Sequence, residues 1–108
     1  MKLLFVCSKN KWRSRTAETM FRNSAIHKVK SAGTDPNARI KLTAALLDWA
    51  EIVFVMEDKH KQMIRQKFRN SYDASKMVVL SIADEYQYMD EELIMSIEVA
   101  IAPYLEMD

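Results

Sequence analysis

Lys2-Leu3-Leu4-Phe5-Val6-Cys7-Ser8-Lys9-Asn10-Lys11-Trp12-Arg13-Ser14 opens the chain as an apolar strand that runs into its single cysteine, with an arginine six residues further on. A strand that stops at Cys7, a polar loop and a helix entered near Ser14 form a strand-loop-helix unit. Loop amides and the unpaired N–H groups of a helix start converge there with the positive end of the helix dipole. Such a place holds an anion. Arg13 adds a planar two-pronged donor for phosphoryl oxygens, and the positive field favours thiolate over thiol at Cys7. The amphipathic stretch after the loop, with Ala17, Met20, Phe21 and Ala25 at helical spacing, supports the helix.

Alternation of element types extends this unit through the chain. The spacing predicts strands over Lys2 to Val6, His27 to Ala32, Glu51 to Met56 and Met77 to Leu80. Helices are expected over Ser14 to Ala25, Thr43 to Trp49, Asp58 to Phe68, and from Asp90 to about Glu106. Asp90, Glu91 and Glu92 suit the first turn of the last helix, and its stripe of Leu93, Ile94, Ile97, Ala100, Ile101 and Leu105 reads as a core face. The fold class that follows is α/β: a three-layer sandwich with a four-stranded parallel sheet, ligands lying beyond the strand C-terminal ends. Residues 1–108 read as a single domain: Arg69 to Ser75 reads as a polar linker, with no repeat or low-complexity tract and no internal domain boundary.

Composition narrows the function. A chain of 108 residues with 49% hydrophobic and 29% charged residues reads as a soluble cytoplasmic domain, and a net charge of +1 gives no basis for nucleic-acid binding. Basic residues gather instead at Lys9, Lys11, Arg13 and Arg15, beside the loop. The opening apolar run is too short for a signal core, and no stretch reaches membrane-spanning length. One cysteine makes neither an internal disulfide nor a cysteine metal cluster, and His27 and His60 read as isolated surface residues, so no metal or other cofactor is expected.

The loop, with its Cys-x5-Arg-Ser pattern (CX5R) close to the N-terminus, resembles the signature of the low-molecular-weight protein tyrosine phosphatases. Further segments are similar in the same order: Lys30-Ser31-Ala32-Gly33-Thr34, Ala38-Arg39-Ile40-Lys41-Leu42-Thr43, Ala50 to Glu57, and Ser81-Ile82-Ala83-Asp84-Glu85-Tyr86 in place of the family's Asp-Pro-Tyr loop. The resemblance implies a hydrolase that removes phosphate from phosphotyrosine or a small aryl phosphate through a phosphocysteine. The alternative on the same fold is a non-catalytic phosphate- or phosphoprotein-binding module. An arsenate reductase ranks third, because that chemistry relays oxidation through further cysteines.

Roles follow from chemistry and from this resemblance together. Cys7 is the expected nucleophile, with Arg13 and the loop from Ser8 through Lys9, Asn10, Lys11 and Trp12 to Ser14 clamping the phosphoryl oxygens; inorganic phosphate or sulfate should also bind there. Ser14 should donate to the sulfur, its simpler role being a helix N-cap. The resemblance makes Asp84 the general acid, ahead of Glu85 and Asp90, and makes Asn10 and Ser31 supports of the loop. Trp12, Tyr86 and Tyr88 are candidate aromatic walls for a phosphoaryl ring. Three departures stand out: Lys9 where the family usually has glycine, which predicts a strained or reshaped loop; a short segment between Gly33 and Ala38; and Pro36 roughly where some members have a buried histidine.

Overall fold

The computed structural model describes residues 1–106; the last two residues of the expected 1–108 domain lie outside the described residues. Its strands are β1 (Lys2–Cys7), β2 (Lys28–Gly33), β3 (Ile52–Val55) and β4 (Met77–Val79). They form one parallel sheet in the order β2-β1-β3-β4. The helices are α1 (Arg13–Met20), α2 (Ala44–Trp49), α3 (Asp58–Lys67) and α4 (Glu91–Ile101), with a single 3₁₀ turn at Ala74–Lys76 before β4. The expected α/β sandwich is what forms.

Side-chain alternation along β1 builds both layers of core. Leu3, Phe5 and Cys7 face one side, where they join Ala17 and Phe21 from α1 and Leu93, Ile97 and Ile101 from α4. Leu4 and Val6 face the other, against Leu47 of α2 and Ile64 of α3. Phe5 stacks between Phe21 and Phe54, with ring centroids 6.1 and 5.0 Å away. Because β1 is flanked by paired strands and covered on both faces, it reads as a continuous apolar run.

Element ends depart from the sequence reading for local reasons. Helix α1 stops at Met20 rather than Ala25: the N–H groups of Phe21 and Arg22 donate three residues back, to the Glu18 and Thr19 carbonyls, and the Ser24 hydroxyl then accepts the N–H groups of Ile26 and His27 as the chain turns towards β2. Helix α4 stops at Ile101 rather than near Glu106, since Pro103 has no N–H to continue the helical ladder. Strand β2 instead gains Gly33, which pairs with Cys7 in register. His27 and His60, read from sequence as surface residues, are both buried: His27 sits edge-on to Phe21 and bonds the Glu106 carbonyl, and His60 is 1% exposed on α3.

Candidate active site

The loop after β1 turns its amides inward because its carbonyls are held from outside. The N–H groups of Thr34, Asp35 and Arg39 donate to the carbonyls of Cys7, Ser8 and Lys9 at 3.0, 2.9 and 2.9 Å. Arg39 Nε donates to the Asn10 carbonyl at 3.0 Å. In a trans peptide the N–H points opposite the preceding C=O, so the amides of residues 8–11 are directed away from segment 34–39. No side chain caps α1, whose first-turn N–H groups add to the same cradle.

Two positions near the loop restrict which residue can stand there, one by torsion and one by space. Asn10 adopts φ of 57°, a left-handed conformation that asparagine tolerates better than most residues. Lys9 does not, so the strain expected there is relieved by its neighbour; the Lys9 ammonium lies 3.5 Å from Asp35. Gly33 is the other place: a Cβ there would meet the Ser8 carbonyl at 2.4 Å and the Ala38 Cβ at 2.6 Å, so glycine lets the end of β2 touch the loop.

A directed chain of hydrogen bonds ends at the sulfur. The Ser31 hydroxyl donates to Glu18, so it accepts from Asn10 Nδ2, 2.9 Å away; Asn10 Nδ2 also donates to Ser14 Oγ at 2.7 Å. Ser14 lies in the first turn of α1 rather than at its cap, and its Oγ is 2.9 Å from Cys7 Sγ. With Asn10 donating to it, the Ser14 hydroxyl is free to donate to the Cys7 sulfur, its other acceptor being the Ala32 carbonyl at 3.4 Å. Ser14, Asn10 and Ser31 are thus brought together as expected, and Glu18, which also lies 3.7 Å from Arg39, extends the chain to the surface.

Arg13 is buried and anchored through one nitrogen. Its Nη1 donates to Glu57 and to the Ile82 carbonyl, the latter at 2.8 Å. Its Nε lies 3.7 Å from Asp84 Oδ1, and Nη2 has no partner among the described residues. Nε and Nη2 form the edge that grips two oxygens of one phosphoryl group. The Arg13 hydrogen bond holds the Glu57 carboxyl below its ordinary range.

His60 supplies support from α3. Its Nδ1 accepts the backbone N–H of Glu57 at 3.1 Å, and its Nε2 lies 2.9 Å from Ser8 Oγ. Burial, and then the charge of Arg13, push its pKa down to about 4. The loop-supporting histidine therefore comes from beyond β3, while Pro36 is exposed. Neither Glu57 nor His60 was expected at the site. Their sequence signal was an acid at the end of a strand followed three residues later by a hydrogen-bonding side chain, the pattern of a capping box at a sheet's ligand-binding edge.

Cys7, Ser8, Lys9, Lys11, Trp12, Arg13 and Asp84 line one cleft of about 220 Å³. Of the three acids weighed, Asp84 faces this cleft, Glu85 lines a separate groove against α4, and Asp90 accepts the Glu92 N–H as the α4 cap. Of the three aromatic walls, Trp12 is in place and 42% exposed. Tyr86 lines the α4 groove, while Tyr88 bonds Thr19 at 2.8 Å and carries the Arg15 guanidinium 4.4 Å above its ring, so these two do not line the cleft. Among the described residues no group of three or more His, Cys, Asp or Glu side chains is placed to hold a metal ion, and no helix is long and apolar enough to cross a membrane.

Residues 2–46, which build β1, the loop, α1 and β2, match the family described as Low molecular weight phosphotyrosine protein phosphatase. No curated protein matches the sequence. Among solved structures the chain is similar to the YwlE arginine phosphatase from Geobacillus stearothermophilus, with 21% identity, 99% of each chain covered and a TM-score of 0.69. It is also similar to the tyrosine phosphatase Wzb from Escherichia coli K30 in complex with phosphate, with 21% identity, 95% of this chain and 94% of that one covered, and a TM-score of 0.74. Vibrio vulnificus Wzb in complex with benzylphosphonate gives 22% identity, 95% of each chain and a TM-score of 0.71. At these identities the likenesses establish the fold.

Proposed function

We propose that this chain, a member of the low-molecular-weight phosphotyrosine protein phosphatase family by sequence over residues 2–46 and by fold along its length, removes phosphate from phosphotyrosine or a similar aryl phosphate through a phosphocysteine on Cys7. The observation that carries this reading is the single cleft in which Cys7, Arg13 and Asp84 meet. In the first step the thiolate attacks phosphorus, the bond to the aryl oxygen breaks, and Asp84 in its protonated form gives that oxygen a proton. In the second step water, losing a proton to Asp84, attacks the phosphocysteine and releases orthophosphate and the thiolate. Arg13 and the loop amides bind the equatorial oxygens throughout, and Ser14 stabilises the sulfur as it leaves. This chemistry uses no cofactor.

An arginine phosphatase is the second reading, favoured by the likeness to the YwlE structure. The cleft's side chains weigh against it. Lys9 is paired with Asp35 and Arg13 with Glu57, Asp84 is the one carboxylate among the residues lining the cleft, and Lys11 has no ion-pair partner among the described residues. A guanidino leaving group would find in the lining one carboxylate, already beside Arg13, whereas a flat neutral ring can lie against Trp12. A phosphotyrosine protein or a small aryl phosphate is therefore the proposed substrate, in a soluble cytoplasmic setting.

The test is turnover of p-nitrophenyl phosphate, a phosphotyrosine peptide and a phosphoarginine peptide in the presence of a chelator. Wild type is expected to prefer the aryl substrates, and Cys7→Ser to abolish turnover. Preference for phosphoarginine would move the assignment to the second reading. Phosphate binding without turnover would leave a non-catalytic module.

A further inference from the structure

We infer that the Ser8 side chain is a donor to the bound phosphoryl group, and that His60 is the positioning residue that aims it. This rests on the reading of the cleft as a phosphoryl site. The Glu57 backbone N–H can only donate, so His60 Nδ1, 3.1 Å away, is the unprotonated ring nitrogen. A neutral imidazole then carries its hydrogen on Nε2, and that hydrogen is given to Ser8 Oγ at 2.9 Å. With burial and neighbouring positive charge pushing the His60 pKa down to about 4, this tautomer is the one present at neutral pH.

Ser8 Oγ, having accepted from His60, keeps its own hydrogen to give. Among the described residues no acceptor takes it, and Ser8 lines the cleft beside Cys7 and Arg13. A phosphoryl oxygen in the loop is the acceptor that fits, since it is charged and lies among donors. His60 thus acts through Ser8 and touches no reacting atom. The ring whose Nδ1 closes the start of α3 fixes, through its Nε2, which way a hydroxyl at the start of the loop points, coupling the α3 cap to ligand binding.

Orthophosphate affinity by calorimetry, read beside p-nitrophenyl phosphate turnover, tests this with wild type, Ser8→Ala, Ser8→Thr, His60→Ala and the Ser8→Ala/His60→Ala pair. Loss of one hydrogen bond to a charged ligand is expected to weaken orthophosphate about tenfold in Ser8→Ala. Ser8→Thr, which keeps the hydroxyl, is expected to restore binding. The His60 change is expected to cost less phosphate affinity in the Ser8→Ala background than alone, a coupling that a purely structural histidine would not give. Should His60→Ala fail to fold, the contrast between alanine and threonine at Ser8 still decides. Wild type that binds and hydrolyses while Ser8→Ala keeps its phosphate affinity, or fully additive losses, would overturn this inference alone. Wild type that neither binds orthophosphate nor turns over would overturn the phosphatase reading with it.

Discussion

Glu57 holds Arg13 by Nη1, the nitrogen that also reaches the Ile82 carbonyl, and so leaves the opposite edge of the guanidinium for a ligand. Removing the carboxylate frees a buried cation to rotate. Glu57→Gln is expected to lower kcat/KM for an aryl phosphate by about tenfold to a hundredfold, the range for a hydrogen bond between charged groups. Steady-state kinetics with p-nitrophenyl phosphate checks this; an unchanged kcat/KM would show that Ile82 alone suffices.

Gly33 lies where any Cβ meets the Ser8 carbonyl and Ala38. Gly33→Ala must push the loop from β2 and is expected to cost about 1–3 kcal/mol of stability, as overpacking does, together with most orthophosphate binding. Denaturant unfolding and calorimetry report the two effects separately. A variant with wild-type values in both would mean that the contact yields freely.

Asp84 sits opposite Arg13 with 55% of its side chain exposed. Asp84→Asn is expected to lower kcat by about 10²–10⁴ for poor leaving groups and much less for activated ones, because only the former need a proton. Glu85→Gln, whose side chain faces the other groove, is expected to keep wild-type kinetics. A series of aryl phosphates with graded leaving-group acidity separates Asp84 from a residue that merely binds.

His60 has its pKa lowered from 6.5 to about 4, so the unfolded chain binds a proton there more readily than the folded one. Stability from this group is complete above pH 6.5 and is lost as pH falls towards 4, by an amount on the order of 3 kcal/mol. Glu57, also lowered, adds loss of the same sign below its ordinary 4.5. Arg13, Glu57, Lys59 and Asp84 are the charges acting on His60. Thermal melts between pH 7.5 and 4.5 are expected to fall steeply for wild type and more gently for His60→Gln; parallel curves would remove His60 as the cause.

What was legible in the sequence was what is local. The Cys7 to Ser14 loop, the four parallel strands and the Asn10–Ser31 support could be read because strand apolarity, turn residues and a compact signature lie within a short stretch. Asp84 was placed through resemblance and indeed reaches the cleft. What the sequence hid was long-range. Glu57 and His60 reach a loop some fifty residues upstream, and nothing in a histidine flanked by lysines announces burial. Tyr86 and Tyr88, adjacent to Asp84 in sequence, turn away because the segment holds left-handed residues at Ser81 and Met89 and is pinned to α1 through Thr16 and Thr19. The α1 and α4 ends are hidden for a different reason: the tightened turn at Phe21 and Arg22 and the missing N–H of Pro103 interrupt an apolar periodicity that otherwise runs on.

Strand β1 lies between β2 and β3, so the loop leaving it is flanked by the segment leaving β2 on one side and by α3, which leaves β3, on the other. Segment 34–39 holds its carbonyls, while Glu57 and His60 hold Arg13 and Ser8. Occupancy of the loop is therefore transmitted to both flanks by thermodynamic linkage: an anion that binds only the assembled loop suppresses every local opening that would release it. Amide exchange should slow on saturation with orthophosphate at Thr34, Asp35, Arg39 and Glu57, residues that never touch the ligand, and should stay unchanged at the far ends of the strands.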